Sequence, residues 1–200
     1  AAYAKNENES IWILLALCLI CGIRLIVYLY SKKDKYPTHN FEKLDLSIRY
    51  ITFSFFFLLL IPFTTGQYNP YVIIGVLVLI WTNDSFAYLI GKNFGKHKLF
   101  EKVSPRKTIE GFIGGLIFSI VCGVLLSKYI PVFSTINWIV IAIIVSVFGT
   151  LGDLVESKFK RQANVKDSGN IMPGHGGILD RLDSLFFLAP FVYLYINYLI

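Results

Sequence analysis

An all-α, polytopic integral membrane bundle is the fold class this sequence predicts, and three observations predict it. The 200 residues are 55% hydrophobic and only 16% charged, with a mean hydropathy of +0.60, whereas soluble domains carry about a quarter charged residues. The apolar residues fall in long runs, each near the roughly 20 residues needed to cross a hydrocarbon core. Between the runs, the connections alternate between strongly basic and nearly uncharged. Backbone exposed to lipid must satisfy its own hydrogen bonds, so the runs are read as helices. The strict alternation of a β-barrel is absent.

Six spans follow, at 11–30, 50–64, 71–90, 111–128, 137–155 and 183–200. The first contains Cys18 and Cys21 as a C-x-x-C, but within "LLALCLICGI" neither thiolates nor metal partners are favoured, so both read as packing residues, as does Cys122. The second is short and either crosses with little tilt or starts earlier. The third runs out through "LIWTNDSFAYLIGKNFGKH", the fourth opens at Glu110 and Gly111, and the fifth closes through "SVFGTLGDLVESKFKR". The sixth follows directly on the polar segment "PGHGGILDRLD". The basic loops 31–49, 91–110 and 156–182 carry five, six and five Lys or Arg, sixteen of the chain's nineteen. The connections at 64–70 and 128–136 carry only Lys128. Six crossings put all three basic loops on one side, the cytoplasmic side by the positive-inside rule. The expected location is a bacterial inner membrane.

The net charge of +6 therefore sits on one face, suited to anionic headgroups or a polyphosphate. Nucleic acid is excluded as a partner, since no basic soluble module with interleaved aromatics exists. The chain reads as a single membrane-embedded domain, 1–200, without internal repeat. Its only methionine is Met172, so it has no initiator, and earlier spans are expected to precede it.

Acids stand where they are expensive. Asn83 and Asp84 lie inside the third span, where a carboxylate costs about 2.5–3.5 kcal/mol even on insertion scales. Asp153 closes the fifth span beside Gly149 and Gly152, and shares a helix face with Ser157 four residues on. Glu156 is best paired with Lys160 in the ordinary i,i+4 manner. Asp180 and Asp183 project from one side if the last helix starts near Ile178. Asp180 is equally open to a helix-capping role. Spans three and five run toward the basic face and span six leaves it, so Asp84, Asp153, Asp180 and Asp183 gather near one leaflet. Such acids repel unless a cation sits among them, and an oxygen-rich set suits Mg²⁺ shared with substrate phosphates. The basic loops supply Ser104, Arg106 and Lys107 from "SPRKTIEG", and Lys160, Arg161, Lys166 and Arg181 around "PGHGG". Backbone N–H groups at Gly176 and Gly177 are free to approach phosphate oxygens. For His175 three roles stay open: donor to phosphate, organiser of the loop, and general base.

The segment 157–183, "SKFKRQANVKDSGNIMPGHGGILDRLD", closely resembles the signature of the phosphatidate cytidylyltransferase (CDP-diacylglycerol synthase) family. Its Ser, Lys-Arg, Lys-Asp, Pro-x-His-Gly-Gly and Asp-Arg-x-Asp elements are all present. Met172 departs from the usual branched aliphatic or Phe. "GDLVES", "SPRKTIEG" and "NDSFAYLIGKNFGKH" also look like family motifs. The resemblance implies transfer of CMP from CTP to phosphatidate with release of pyrophosphate, a requirement for Mg²⁺, an all-helical membrane fold and a homodimer. It implies Asp153 and Asp180 as metal ligands with Ser157 alongside, and Asp84 and Asp183 as further candidates. Lys166, His175 and Arg181 join Asp153 and Asp180 as expected catalytic residues. Ser104, Arg106, Lys107, Ser157, Lys160, Arg161, Gly176 and Gly177 are expected to bind substrate. Two rivals are a CTP-dependent membrane enzyme acting on an isoprenoid phosphate or alcohol, and a transporter using Asp84 and Asp153 as ion-path residues. The transporter predicts acids spread through the membrane depth rather than gathered at one leaflet. The Asp-Gly-x-x-Ala-Arg signature of CDP-alcohol phosphotransferases is absent.

Overall fold

The computed structural model describes residues 2–31, 40–165, 167–169, 177 and 179–200. All six expected spans are helical. They are α1 (Ala2–Tyr30), a helical path from α2 (Asn40–Ser47) through α3 (Phe53–Leu60), then α4 (Pro70–Phe94), α5 (Ile109–Tyr129), α6 (Thr135–Gln162) and α7 (Leu179–Tyr198). The second span does start earlier than position 50. A wide, π-type turn at Ile48–Thr52 joins α2 to α3, and a tight 3-10 turn at Ile61–Phe63 ends the path. By length and composition, five helical stretches are able to cross a membrane: Glu9–Tyr30, Leu44–Phe63, α4, α5 and α6.

The sixth expected span, α7, is a helix but is not among those five. It opens with Asp180, Arg181 and Asp183 and carries Pro190 inside. Its middle, Leu185 to Pro190, is buried throughout. Helix α7 is therefore the interior strut of the bundle, with α6 on one side and α3 on another. Phe187 and Phe191 stack with Phe148 of α6, and Phe57 of α3 meets Tyr193 with ring centroids 5.1 Å apart.

Local chemistry sets the helix ends. Asn69 caps α4, its side-chain oxygen accepting from the Tyr71 N–H at 3.1 Å, with Pro70 next in the chain. Ser134 caps α6 by accepting from Asn137 N–H at 3.2 Å. Each uses a short polar side chain for an otherwise orphaned N–H. Helix α6 runs seven residues past the expected end at 155. Glu156 and Lys160 pair along it as expected, 2.5 Å apart, and the chain leaves it through Asn164 at φ 55.

The expectation of a plain loop over 91–110 is corrected. Lys98–Phe100 (β1) and Ser104–Thr108 (β2) form an antiparallel hairpin, with Lys98 opposite Thr108 and Phe100 opposite Ser104. The first turn of α5 fixes its root. Glu110 accepts from the Lys96 and His97 backbone N–H groups at 3.1 and 3.2 Å and meets His97 Nδ1 at 2.6 Å. Thr108 caps α5 through Gly111 N–H. The Glu110 contacts reach back 13 and 14 residues, which sequence patterning cannot register.

Helices α4 and α5 touch at backbone distance because α5 presents Gly111, Gly114 and Gly115 to α4. A Cβ at Gly115 would meet the Asn83 carbonyl oxygen at 2.8 Å, whereas one at Gly149 would meet only ordinary neighbours at 3.6 Å or more. Gly115→Ala is therefore expected to destabilise the purified protein by about 1–3 kcal/mol, and Gly149→Ala to change little. Thermal unfolding of the two variants in one detergent checks the contrast.

Candidate active site

The described ends of the helices that flank the three basic connections meet at one end of the bundle. The C-terminus of α1 packs on the C-terminus of α6 through Lys158, whose ammonium donates to the Tyr28, Leu29 and Ser31 carbonyls at 2.6, 3.4 and 3.1 Å. Sequence reading counted Lys158 among the five basic residues of loop 156–182. It is instead buried, and it satisfies the unpaired carbonyls that every helix C-terminus leaves. The hairpin and the start of α7 complete this end.

A cleft of about 760 Å³ opens between α4, the hairpin, α5 and α6. Its wall includes Asn83 and Asp84 of α4, Lys92 near the end of that helix, Lys98, Arg106 and Lys107 of the hairpin, and Thr150 and Asp153 of α6. Asp84 lies ten residues before the end of α4 and Asp153 nine before the end of α6. At 1.5 Å per residue both sit about 14–15 Å in from their helix ends. The two acids are therefore set back from their helix ends by similar distances, because α6 continues past its apolar run. Asp153 accepts from the Ser157 hydroxyl at 3.2 Å along the predicted i,i+4 face. Its other oxygen forms an ion pair with Lys107, delivered from β2. Asn83 is buried and donates to Asp84 at 3.3 Å.

Asp180 is placed differently. It is absent from the wall of this cleft and binds Lys160 at 2.8 Å. It also accepts from the Ser168 N–H and hydroxyl, both at 2.9 Å, and from the Gly177 N–H at 2.7 Å. Burial opposes its charge, yet Lys160 and the Gly177 and Ser168 N–H groups outweigh that and hold its carboxyl below the ordinary range. It ties Ser168 and Gly177 to Lys160 of α6 rather than simply capping its own helix. Lys160 bridges Asp180 to Glu156, whose Oε1 is buried with no hydrogen-bond partner among the described residues. Asp183 is buried and accepts from Ser184 N–H at 2.6 Å.

The structure therefore brings Asp84, Asp153, Arg106 and Lys107 together. It gathers Lys160, Asp180 and Gly177 in an adjoining cluster, with Arg161 exposed on α6 and Arg181 exposed on α7. Ser104 is half-buried on β2 opposite Phe100. Lys166, His175 and Gly176 lie outside the described residues. Among the described residues no three His, Cys, Asp or Glu side chains converge as a metal cage. Two carboxylates facing a cleft lined by cations nonetheless match Mg²⁺, which is held by one or two carboxylates together with waters and substrate phosphates. Thr150 is a wall residue without a sequence signal. Thr108 and Lys92 lie within the quoted motifs but were given no role, and Lys98 was visible only as a member of a basic loop.

A family model described as "Cytidylyltransferase family" matches residues 2–199. The chain is similar to a phosphatidate cytidylyltransferase of Bacillus subtilis (strain 168), 41% identical over 179 residues that cover 88% of this chain and 66% of the relative. It is similar to one of Staphylococcus saprophyticus, 41% identical over 168 residues, covering 83% and 63%. To one of Staphylococcus aureus (strain COL) it is 44% identical over 192 residues, covering 92% and 71%. The chain thus spans just under two thirds of the length of the first two.

Lys160→Met would strand Glu156 and Asp180 without their shared cation. Breaking a buried pair from one side costs on the order of 3 kcal/mol. A clear fall in melting temperature is expected for Lys160→Met and little change for Lys107→Met, whose partner is a third exposed; differential scanning fluorimetry in detergent compares them.

Proposed function

The chain belongs to the cytidylyltransferase family, and on that premise we propose that it transfers CMP from CTP to phosphatidate, giving CDP-diacylglycerol and pyrophosphate. One observation carries the reading: two intramembrane carboxylates and four basic side chains line a single cleft at the basic end of the bundle. That end is taken to face the cytoplasm of a bacterial inner membrane. A water-borne nucleotide and a lipid headgroup can meet only at such a boundary.

Both reactants are anionic, and the attacking lipid phosphate oxygen is already ionised. No strong general base is needed, and the protein's tasks are to cancel repulsion and hold the in-line pose. Arg106, Lys107, Lys92 and Lys98 surround the space the phosphates would occupy. Ser157 holds the Asp153 carboxylate from behind. Asp180, through Ser168 and Gly177, keeps the polar loop against α6. Asp153 and Asp84 would hold Mg²⁺, with Asp180 and Asp183 from the neighbouring cluster as further candidate ligands. Bound there, the ion supplies charge neutralisation at the α-phosphate.

Asp153→Asn and Asp180→Asn should each abolish transfer while leaving membrane insertion intact, and chelation of Mg²⁺ should do the same to the unaltered protein. CTP-dependent pyrophosphate release in mixed micelles measures this, with phosphatidate and a polyprenyl phosphate as alternative acceptors. Turnover with the polyprenyl acceptor alone would assign the isoprenoid reaction instead. Near-normal turnover by either Asn variant would remove that residue from its role.

A further inference from the structure

The two lysine–carboxylate contacts at this end of the bundle differ in kind. The Lys160 side chain is 18% exposed, and its partners Glu156 and Asp180 are 3% and 11% exposed. Asp180 has three further donors. That contact is a fixed part of the structure, because parting it leaves buried charge. Lys107 and Asp153 are 28% and 34% exposed, both face the cleft, and pairs this accessible are held weakly. Lys107 and Asp153 also act electrostatically on Asp84 in the cleft and on the neighbouring Asp183.

We propose that Lys107 is the resident counterion of the Asp153 carboxylate: its ammonium and a divalent cation compete for that carboxylate, and the displaced ammonium then pairs with the phosphates that arrive with the cation. The proposal rests on the reading of Asp153 as a cation ligand.

The physical reason is mutual repulsion. An ammonium and a divalent ion cannot both sit at bonding distance from one carboxylate unless another anion shares the charge. Without nucleotide, ejecting Lys107 opposes cation binding. With nucleotide, the ammonium finds a new partner in the same cleft. The stem of Lys107 is anchored for this exchange. Its neighbour Thr108 is locked as the cap of α5 and paired across the hairpin with Lys98, so the backbone stays while the ammonium swings. Cation and triphosphate are then coupled through Lys107, and coupling of this sort is reciprocal.

The test uses Mn²⁺ as probe, with free ion read by electron paramagnetic resonance on the full chain in detergent at fixed ionic strength. The unaltered protein, Lys107→Gln, Lys107→Arg and Asp153→Asn are compared. Lys107→Gln should bind Mn²⁺ roughly three- to tenfold more tightly, and Lys107→Arg should stay within about twofold of the unaltered protein because the charge is kept. In saturating Mn²⁺, Lys107→Gln should bind labelled CTP more weakly. Damage to the fold would weaken both ligands, so opposite changes mark the exchange. Equal or weaker Mn²⁺ binding by Lys107→Gln, with the unaltered protein still binding through Asp153, overturns the proposal alone. Mn²⁺ binding that is absent, or indifferent to Asp153→Asn, overturns the cation reading of Asp153 and this proposal with it.

Discussion

A carboxylate held well inside an apolar helix has to be neutralised, and that requirement organises the polar end of this molecule. Asp153 finds its cation on the hairpin, and Glu156 and Asp180 share theirs on α6. Two of these pairings, Lys107 with Asp153 and Lys160 with Asp180, join separate segments. Lys107 ties the hairpin to α6, and Lys160 ties α6 to the first turn of α7. Through Ser168 and Gly177, Asp180 extends the second tie to the polar loop. The buried acids Glu156 and Asp180 thus also hold α6 and α7 in register, and the desolvation they suffer makes their shared partner specific.

Close helix approach supplies the space. With glycine at 111, 114 and 115, α5 lies against the backbone of α4. In lipid, where apolar side chains gain nothing from each other that lipid tails do not offer, such small-residue contact is the available source of packing energy. The two helices are still in contact where the hairpin joins them, Gly91 against Gly111 and Gly95 against Thr108, and the hairpin is rooted there by Glu110 and Thr108. A rigid root matters because the hairpin carries Lys98, Arg106 and Lys107 into the cleft.

The two lysine contacts give this end of the bundle two stiffnesses. The buried Glu156–Lys160–Asp180 contact is suited to holding architecture, and the accessible Lys107–Asp153 pair is suited to exchanging partners. On the proposed reading, pairing with Lys107 offsets the Asp153 carboxylate, which would otherwise repel incoming phosphates, and places a cation beside their charge.

The sequence by itself determined the six helices, the gathering of the basic connections on one face, and the i,i+4 partnerships of Asp153 with Ser157 and of Glu156 with Lys160. All of these follow from periodicity, run length or spacing within one helix, where 1.5 Å per residue converts sequence into distance. The motifs of 157–183 also carried the family, which the comparison over residues 2–199 bears out. Only the tertiary structure decided the hairpin, the burial of Lys158 under the end of α1, the interior position of α7, and which lysine faces which acid. Lys107 and Asp153 are 46 residues apart and Lys160 and Asp180 are 20 apart with a turn between. No local rule fixes such pairings, because they depend on how close glycine lets two helices come and on which cation each buried charge can reach.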